Sequence, residues 1–229
     1  MLSVYNIFLV LKTGRDFHFR DVELICYHLK KQWKEVKPLN IYCLYDKVHQ
    51  IVKLKDSTLL PMNNNTWPGW WCKMNLFSPE LEKYRPFLFL DLDTAIVGDI
   101  IDLFPIDKYS SRFICLADLW APNRLASGVM WLPNNKKIKN IWKVWSATDK
   151  SIMQTNLGDG DFLQKITNAD LYWQGITDKI SSFKPILGGT FRYLYIIPKE
   201  KTVICFHGKP RIWDAEVVWV KEYITKYIE

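Results

Sequence analysis

Apolar residues fall into short runs separated by polar punctuation, and the spacing within each run predicts its element. Val4 to Leu11 is an apolar run rich in β-formers, as expected for a strand covered on both faces of a parallel sheet. Lys12-Thr13-Gly14-Arg15 breaks it. Val22, Ile25, Cys26 and Leu29 then recur at helical spacing, which predicts a helix over 21–32. Asn40 to Tyr45 reads as a second strand ended by Asp46, and strand, helix, strand in this order predicts a right-handed βαβ unit. The segment 59–69, from Leu59 through three asparagines to Gly69, is so rich in turn residues that no regular structure is expected there.

Beyond it, Trp70 to Phe77 has a helical pattern, and Pro86 precedes a buried strand, Phe87 to Leu90, that runs into Asp91-Leu92-Asp93. Ligands of open α/β sheets gather at such carboxyl ends of strands. Phe113 to Ala117 and Gly128 to Leu132 are short strand candidates, and 138–145 is a helix with Ile141, Trp142 and Trp145 on one face. Gly158-Asp159-Gly160-Asp161 reads as a turn capping a helix through Phe162 and Ile166. Val203 to Phe206 is a late strand ending at His207, and Asp214 reads as the cap of a last helix carrying Val217, Val220, Ile224 and Ile228. With no repeat, low-complexity tract or linker, the expectation is a single α/β domain over 1–229, its mixed, mostly parallel central sheet flanked by helices.

Composition narrows the class. At 229 residues, with 48% apolar and 24% charged positions, the chain suits a compact fold. No apolar run approaches the roughly 18 residues of a membrane span. The N-terminus lacks the basic, apolar and small-residue succession of a signal peptide, so a cytoplasmic protein is expected. The five cysteines, 26, 43, 72, 115 and 205, are odd in number and far apart, the pattern of reduced thiols. A net charge of +7 is compatible with a nucleotide-sugar, an acidic membrane surface touched peripherally, or a nucleic acid. Aromatic residues reach 15%, with 11 Trp, more than a core of this size needs, so some rings should line a surface.

A D-x-D after a buried strand is the strongest chemical signal. Alternate residues of an extended segment point the same way, so Asp91 and Asp93 can reach one hard cation, and Mg²⁺ or Mn²⁺ bridges carboxylates to diphosphate oxygens. An acidic turn after a strand is the competing reading of the same residues.

In its motif order the chain resembles the GT-A-fold glycosyltransferases, in particular those related to family 8, which includes glycogenin. Five segments carry the resemblance: Phe87 to Asp99 with its D-x-D, Gly69 to Phe77 with Lys73, the small-residue strand at Ser127-Gly128-Val129-Met130, the acidic turn Gly158 to Leu163, and Cys205-Phe206-His207-Gly208-Lys209-Pro210. Together they span the chain to about Trp213. The resemblance implies a Rossmann-like GT-A fold and a metal-dependent hexosyltransferase, moving sugar from a UDP-sugar to a glycan, lipid or protein acceptor with retention. It implies that Asp91, Asp93 and His207 hold Mn²⁺ or Mg²⁺, and that Leu92, between the carboxylates, is among the residues that bind the nucleotide-sugar. Aligning Gly208 with the family glycine instead puts Cys205 at the histidine position, but thiolate suits a hard ion poorly.

Lys209 is then expected at the diphosphate, Lys73 at the diphosphate or the sugar, and Lys12 and Thr13, in the first loop, at the nucleotide. Asp159 and Asp161 match the acidic turn at the donor sugar and are the catalytic candidates, although Gly160 stands where the family has glutamine. Trp67, Trp70 and Trp71 are candidates for stacking on an acceptor or for the core, and Ser182 and Lys184 for the rim of the site. Two rival functions remain. A sugar nucleotidyltransferase needs a longer glycine-rich loop than Lys12-Thr13-Gly14-Arg15. A non-catalytic module for carbohydrate or nucleic acid accounts for the charge and the tryptophans but not for Asp91, Asp93 and His207 together, so no nucleic-acid partner is expected.

Overall fold

The first strand, β1 (Tyr5–Leu11), is buried along almost its whole length because both of its faces are covered, Ile7, Leu9 and Leu11 packing into one core and Phe8 and Val10 into another. Helix α1 (Phe19–Gln32) returns the chain to β2 (Leu39–Tyr45), which pairs in parallel with β1 from Tyr5↔Leu39 to Leu11↔Tyr45. The expected βαβ unit is present. A computed structural model describes residues 3–14, 16–46, 53–105, 109–155, 157–187 and 190–228.

Strand β3 (Thr58–Pro61) pairs in parallel with β2 and corrects the expectation that 59–69 holds no regular structure. Proline is tolerated because β3 is the sheet's outermost strand, where a missing N–H leaves no ladder bond unmade. Gly69–Phe77 is helical, as a 3₁₀ helix, and leads towards β4 (Phe87–Leu90). β5 (Thr94–Ile96) follows the acidic triplet, then β6 (Ile114–Ala117), β7 (Leu125–Leu132), α2 (Lys136–Ala147) and α3 (Asp159–Ile166). The remaining elements are β8 (Leu171–Tyr172), β9 (Ile180–Ser182), β10 (Ile186–Leu187), β11 (Thr190–Phe191), β12 (Val203–Cys205) and α4 (Val218–Ile228). Asp214 does not cap α4. It closes a short 3₁₀ turn, Ile212–Asp214, upstream of the helix.

The main sheet runs β3-β2-β1-β4-β7-β6-β8, with β7 antiparallel to both of its neighbours and every other pair parallel. This is the mixed, mostly parallel sheet the sequence predicts. A second sheet, β5-β12-β9, joins the expected late strand at 203–206 to two three-residue partners, β5 and β9, that the sequence does not predict. One core packs α1 against Ile7, Leu9, Ile41 and Leu88, and another packs α2, α3 and the 3₁₀ helix against Phe8, Phe87 and Phe89. All five cysteines are buried free thiols. No helix among the described residues is long and apolar enough to cross a membrane.

Candidate active site

Two sheets meet at the acidic triplet. The Asp91 N–H donates to the Gly128 carbonyl at 2.9 Å, extending the β4–β7 ladder by one residue, while the Asp93 carbonyl accepts from the Phe206 N–H at 2.8 Å beside β12. Leu92, 1% exposed, anchors the step between them in the core. The triplet turns from β4 to β5 rather than continuing extended, so alternation along a strand is not what brings its carboxylates together. The turn does so instead, and both carboxylates line the same two cavities.

One cavity, of about 340 Å³, lies on the side of the first loop and is walled by Lys12, Asp16, Trp70, Lys73 and Arg211. The other, of about 270 Å³, lies between β7 and the start of α3 and is walled by Ser127, Gly158, Gly160, Asp161, Cys205 and His207. Asp91 and Asp93 belong to both.

Each carboxylate is met by its own cation. Lys73 Nζ is 2.5 Å from Asp91 Oδ2, 3.8 Å from Asp159 Oδ2 and 3.4 Å from Ser127 Oγ. Burial alone would favour the neutral amine, but Asp159 and then Asp91 outweigh it and hold the lysine above its ordinary pKa. Burial raises the Asp159 carboxyl, with Lys73 opposing, and its Oδ2 is buried without a hydrogen bond among the described residues. Asp93 accepts from Arg211 Nη1 at 2.8 Å and from the Gly208 N–H at 3.3 Å. Burial first, and Asp91 second, push the Asp93 carboxyl up against the pull of Arg211.

His207 stands after β12 with φ 50°, a left-handed conformation that costs a residue with a side chain about 1 kcal/mol. Its Nε2 is buried with no hydrogen-bond partner among the described residues. Burial drives its pKa down to about 4, so the ring is neutral at physiological pH. Cys205, also on the cavity wall, is raised well above the usual thiol range by burial and by Asp93 and Asp91. Among the described residues no three His, Cys, Asp or Glu side chains stand close enough together to hold a metal ion.

The other candidates divide by element. Gly158 caps α3, its N–H donating to Asp161 Oδ2 at 3.1 Å, so the acidic segment forms the helix's first turn rather than a turn preceding it. Asp161 also receives Arg124 at 2.5 Å. Burial would raise its pKa, but the bonds from Arg124 and Gly158 outweigh it and hold the carboxyl below the usual range. Lys12 and Thr13 are drawn to Asp46 at the end of β2: Lys12 Nζ is 3.1 Å from Asp46 Oδ2, and the Thr13 N–H and hydroxyl each donate to Asp46 at 3.1 Å. Trp67 and Trp71 belong to the core, Trp71 stacked on Trp145 at 5.4 Å, whereas Trp70 is half exposed on the first cavity.

Lys209 lines neither cavity. Its side chain faces a separate basin, and Arg211, two residues on, takes the place beside Asp93. Lys184 donates to the carbonyls of His207 and Lys209 at 2.5 and 2.6 Å, and Ser182 Oγ accepts from the Lys184 N–H at 2.9 Å, so both brace the loop from beneath. Arg211, Arg124 and Asp118 are site residues that sequence reasoning misses. Arg211 alone leaves a trace, as a second cation in the immediate continuation of the Cys205 to Pro210 segment.

No protein-family model and no curated protein matches this chain. Solved structures do. The galactosyltransferase LgtC, in complex with donor and acceptor sugar analogues, aligns with TM-score 0.65 at 10% identity over 97% of this chain and 94% of its own. The glycosyltransferase GlyE of Streptococcus pneumoniae TIGR4 aligns with TM-score 0.64 at 15% identity over 99% of this chain and 60% of its own. Mouse xyloside xylosyltransferase 1 aligns with TM-score 0.52 at 13% identity, covering 91% and 98%. The fold of this chain is therefore the GT-A fold of these glycosyltransferases.

Proposed function

We propose that this chain is a glycosyltransferase that moves a sugar from a UDP-sugar to a glycan, lipid or protein acceptor. The observation that carries the reading is the pair of cavities joined at Asp91 and Asp93. A nucleotide-sugar is a two-part ligand whose diphosphate lies between nucleoside and sugar, and such a site offers a compartment for each part. The cavity on the first loop, with Lys12, Lys73 and Arg211, suits the nucleoside diphosphate. The cavity at α3, with its glycines and Asp161, suits the sugar.

Asp91, Asp93 and His207 suit a divalent cation by the chemistry of their donors, although as they stand the three are not gathered closely enough to hold one, with Asp91 engaged by Lys73 and Asp93 by Arg211. Two carboxylates and a neutral imidazole with an unpartnered Nε2 suit Mn²⁺ or Mg²⁺. Such a cation would supply Lewis-acid stabilisation of the departing diphosphate. Lys73 keeps its proton at neutral pH and offers fixed positive charge beside the site where the leaving group accumulates negative charge. Arg211 adds a second, planar cation on the same side. Asp161, held by Arg124, lines the cavity proposed for the sugar, while Asp159, buried beside Lys73, holds that lysine's charge in place from behind the cavity wall. Retention is the stereochemical course we favour, on the resemblance in motif order alone.

Titrating UDP and then Mn²⁺ while following tryptophan fluorescence and thermal stability tests the reading. Binding of UDP that strengthens with Mn²⁺, and loses that gain in Asp91→Asn/Asp93→Asn, supports it. Binding indifferent to both the metal and the double substitution ends it.

A further inference from the structure

Three successive residues after β12 face three different spaces. His207 lines the cavity at α3, Gly208 lines the cavity at the first loop, and Lys209 lines a third basin of about 620 Å³ that shares no residue with the other two. The loop is a common wall, held by Lys184 through the His207 and Lys209 carbonyls. A molecule in the basin therefore sits one chain-thickness from the proposed sugar compartment.

The basin is built of rings and cations. Trp120 meets Phe191 edge to face at 4.8 Å and the His207 ring at 5.4 Å, and its Nε1 donates to the Lys184 carbonyl at 3.0 Å, which fixes the indole. Tyr193 is stacked on Phe183 at 5.4 Å, and Tyr195 completes the aromatic lining. Phe191, Tyr193 and Tyr195 are 60%, 46% and 69% exposed, a large outlay of aromatic surface to water in one place. Arg192 and Lys209 are exposed beside them, and neither side chain has an ion-pair partner among the described residues. No carboxylate lines the basin among the described residues.

Rings with one free face accept the C–H face of a sugar, and two unpaired cations among them call for negative charge on the same ligand. A neutral glycan uses the rings and leaves the cations idle. A free anion uses the cations and leaves four rings in water. We propose that the basin holds the second substrate and that this substrate is an anionic saccharide, bearing a phosphate or carboxylate that Arg192 and Lys209 receive while Trp120 and Phe191 carry its ring. The assignment rests on the glycosyl-transfer reading in treating the basin as the acceptor's approach.

The chain of 229 residues is titrated with a panel of neutral oligosaccharides, with the same sugars carrying one phosphate or uronate, with inorganic phosphate, and with phosphatidylglycerol vesicles. UDP is titrated in parallel. Charged members of the panel should bind about tenfold more tightly than their neutral parents and than inorganic phosphate, with the preference shrinking as salt rises. Arg192→Gln should cut that preference to about threefold or less, and Phe191→Ser should weaken charged and neutral sugars alike. UDP affinity should stay as it is in Arg192→Gln. The proposal is overturned if neutral sugars bind as well as charged ones, if the preference survives Arg192→Gln, if phosphate alone binds as tightly, or if only the vesicles bind. Failure of UDP to bind while charged sugars still do would sink the transferase reading and, with it, the basin's role as acceptor site.

Discussion

Arg211 Nη1 stands 2.8 Å from Asp93 Oδ2, across 118 positions of sequence, and its Nη2 stands 2.8 Å from Asp16 Oδ2 in the first loop. One guanidinium therefore ties the C-terminal loop to the acidic triplet and to the segment after β1. A planar fork suits two partners held at an angle, which a lysine's point charge does not. The resemblance puts Lys209 at the diphosphate, whereas Arg211 is the cation that stands beside Asp93. Arg211→Gln is expected to weaken UDP binding by about tenfold, the scale of one charge-assisted hydrogen bond to phosphate, and Lys209→Gln to weaken it less. Calorimetric titration of both variants decides the order, and the reverse ranking returns the diphosphate to Lys209.

Lys73 is a buried cation between two carboxylates, Asp91 and Asp159. Replacing it by methionine keeps the length of the side chain and removes the charge, leaving like charges facing each other in a dry site. A loss of about 3 kcal/mol of stability is expected, as for breaking a buried pair from one side, together with loss of sugar transfer. Urea denaturation reads the first and UDP release from a UDP-sugar the second. Stability unchanged from wild type contradicts the charge balance described for the site.

How far the sequence leads is clearest at this site. Phe87 to Leu90 is so uniformly apolar that only a strand covered on both faces fits, and the carboxyl end of such a strand is where ligands are expected. Asp91 and Asp93 are therefore legible in the hydrophobic pattern, whereas Lys73, Asp159 and His207 are reached only through the resemblance in motif order, and all five line or adjoin one pair of cavities. Arg211 and Arg124 are not, because an arginine's partner is set by tertiary packing and leaves no periodic trace. In the small sheet only β12 is legible, as an apolar run, while β5 and β9 escape because strands of three residues are too short for alternation to register. In 59–69 the turn residues do mark irregular chain for most of the segment, and only the edge position of β3 lets a proline-ended strand form.

Gly160 shows what packing demands where the resemblance calls for glutamine. A Cβ there would lie 3.0 Å from the Leu125 carbonyl oxygen of β7, a backbone atom that cannot swing aside. The Leu125 N–H is itself held by Gln164 Oε1 at 3.0 Å, which fixes helix and strand together. Alanine gains roughly 1 kcal/mol over glycine from helix propensity, but overpacking against backbone costs about 1–3 kcal/mol. Gly160→Ala is expected to be net destabilising by about 1 kcal/mol, and Gly160→Gln by more, without gain of activity. A stabilised Gly160→Ala in urea denaturation would show that α3 can move away from β7.

His28 gives the fold an acid limit away from the site. Its ring is 3% exposed, stacked on Tyr223 at 3.6 Å, with Nε2 donating to the Tyr223 carbonyl at 2.8 Å, so it joins α1 to α4 as a neutral group. Burial lowers its pKa from 6.5 to about 4; the hydrogen bond to Tyr223 opposes this, and the positive charges of Lys31 and Lys226 reinforce it. Between those two values the unfolded chain binds a proton that the folded chain does not. Stability is thus fully present above pH 6.5 and declines as pH falls. By pH 4 this contribution is lost, about 3 kcal/mol in all, because each tenfold difference in proton affinity between the folded and unfolded chain is worth about 1.4 kcal/mol. His207, lowered to about 4 in the same way, titrates in the same window and adds to the fall. His28→Phe keeps the ring stack and removes the titration. The expected result, from thermal melts at pH 7.5, 6, 5 and 4, is a lower melting temperature at pH 7.5, from the lost bond to Tyr223, with a shallower decline towards pH 4. A decline as steep as wild type would show that His28 carries no share of the acid sensitivity.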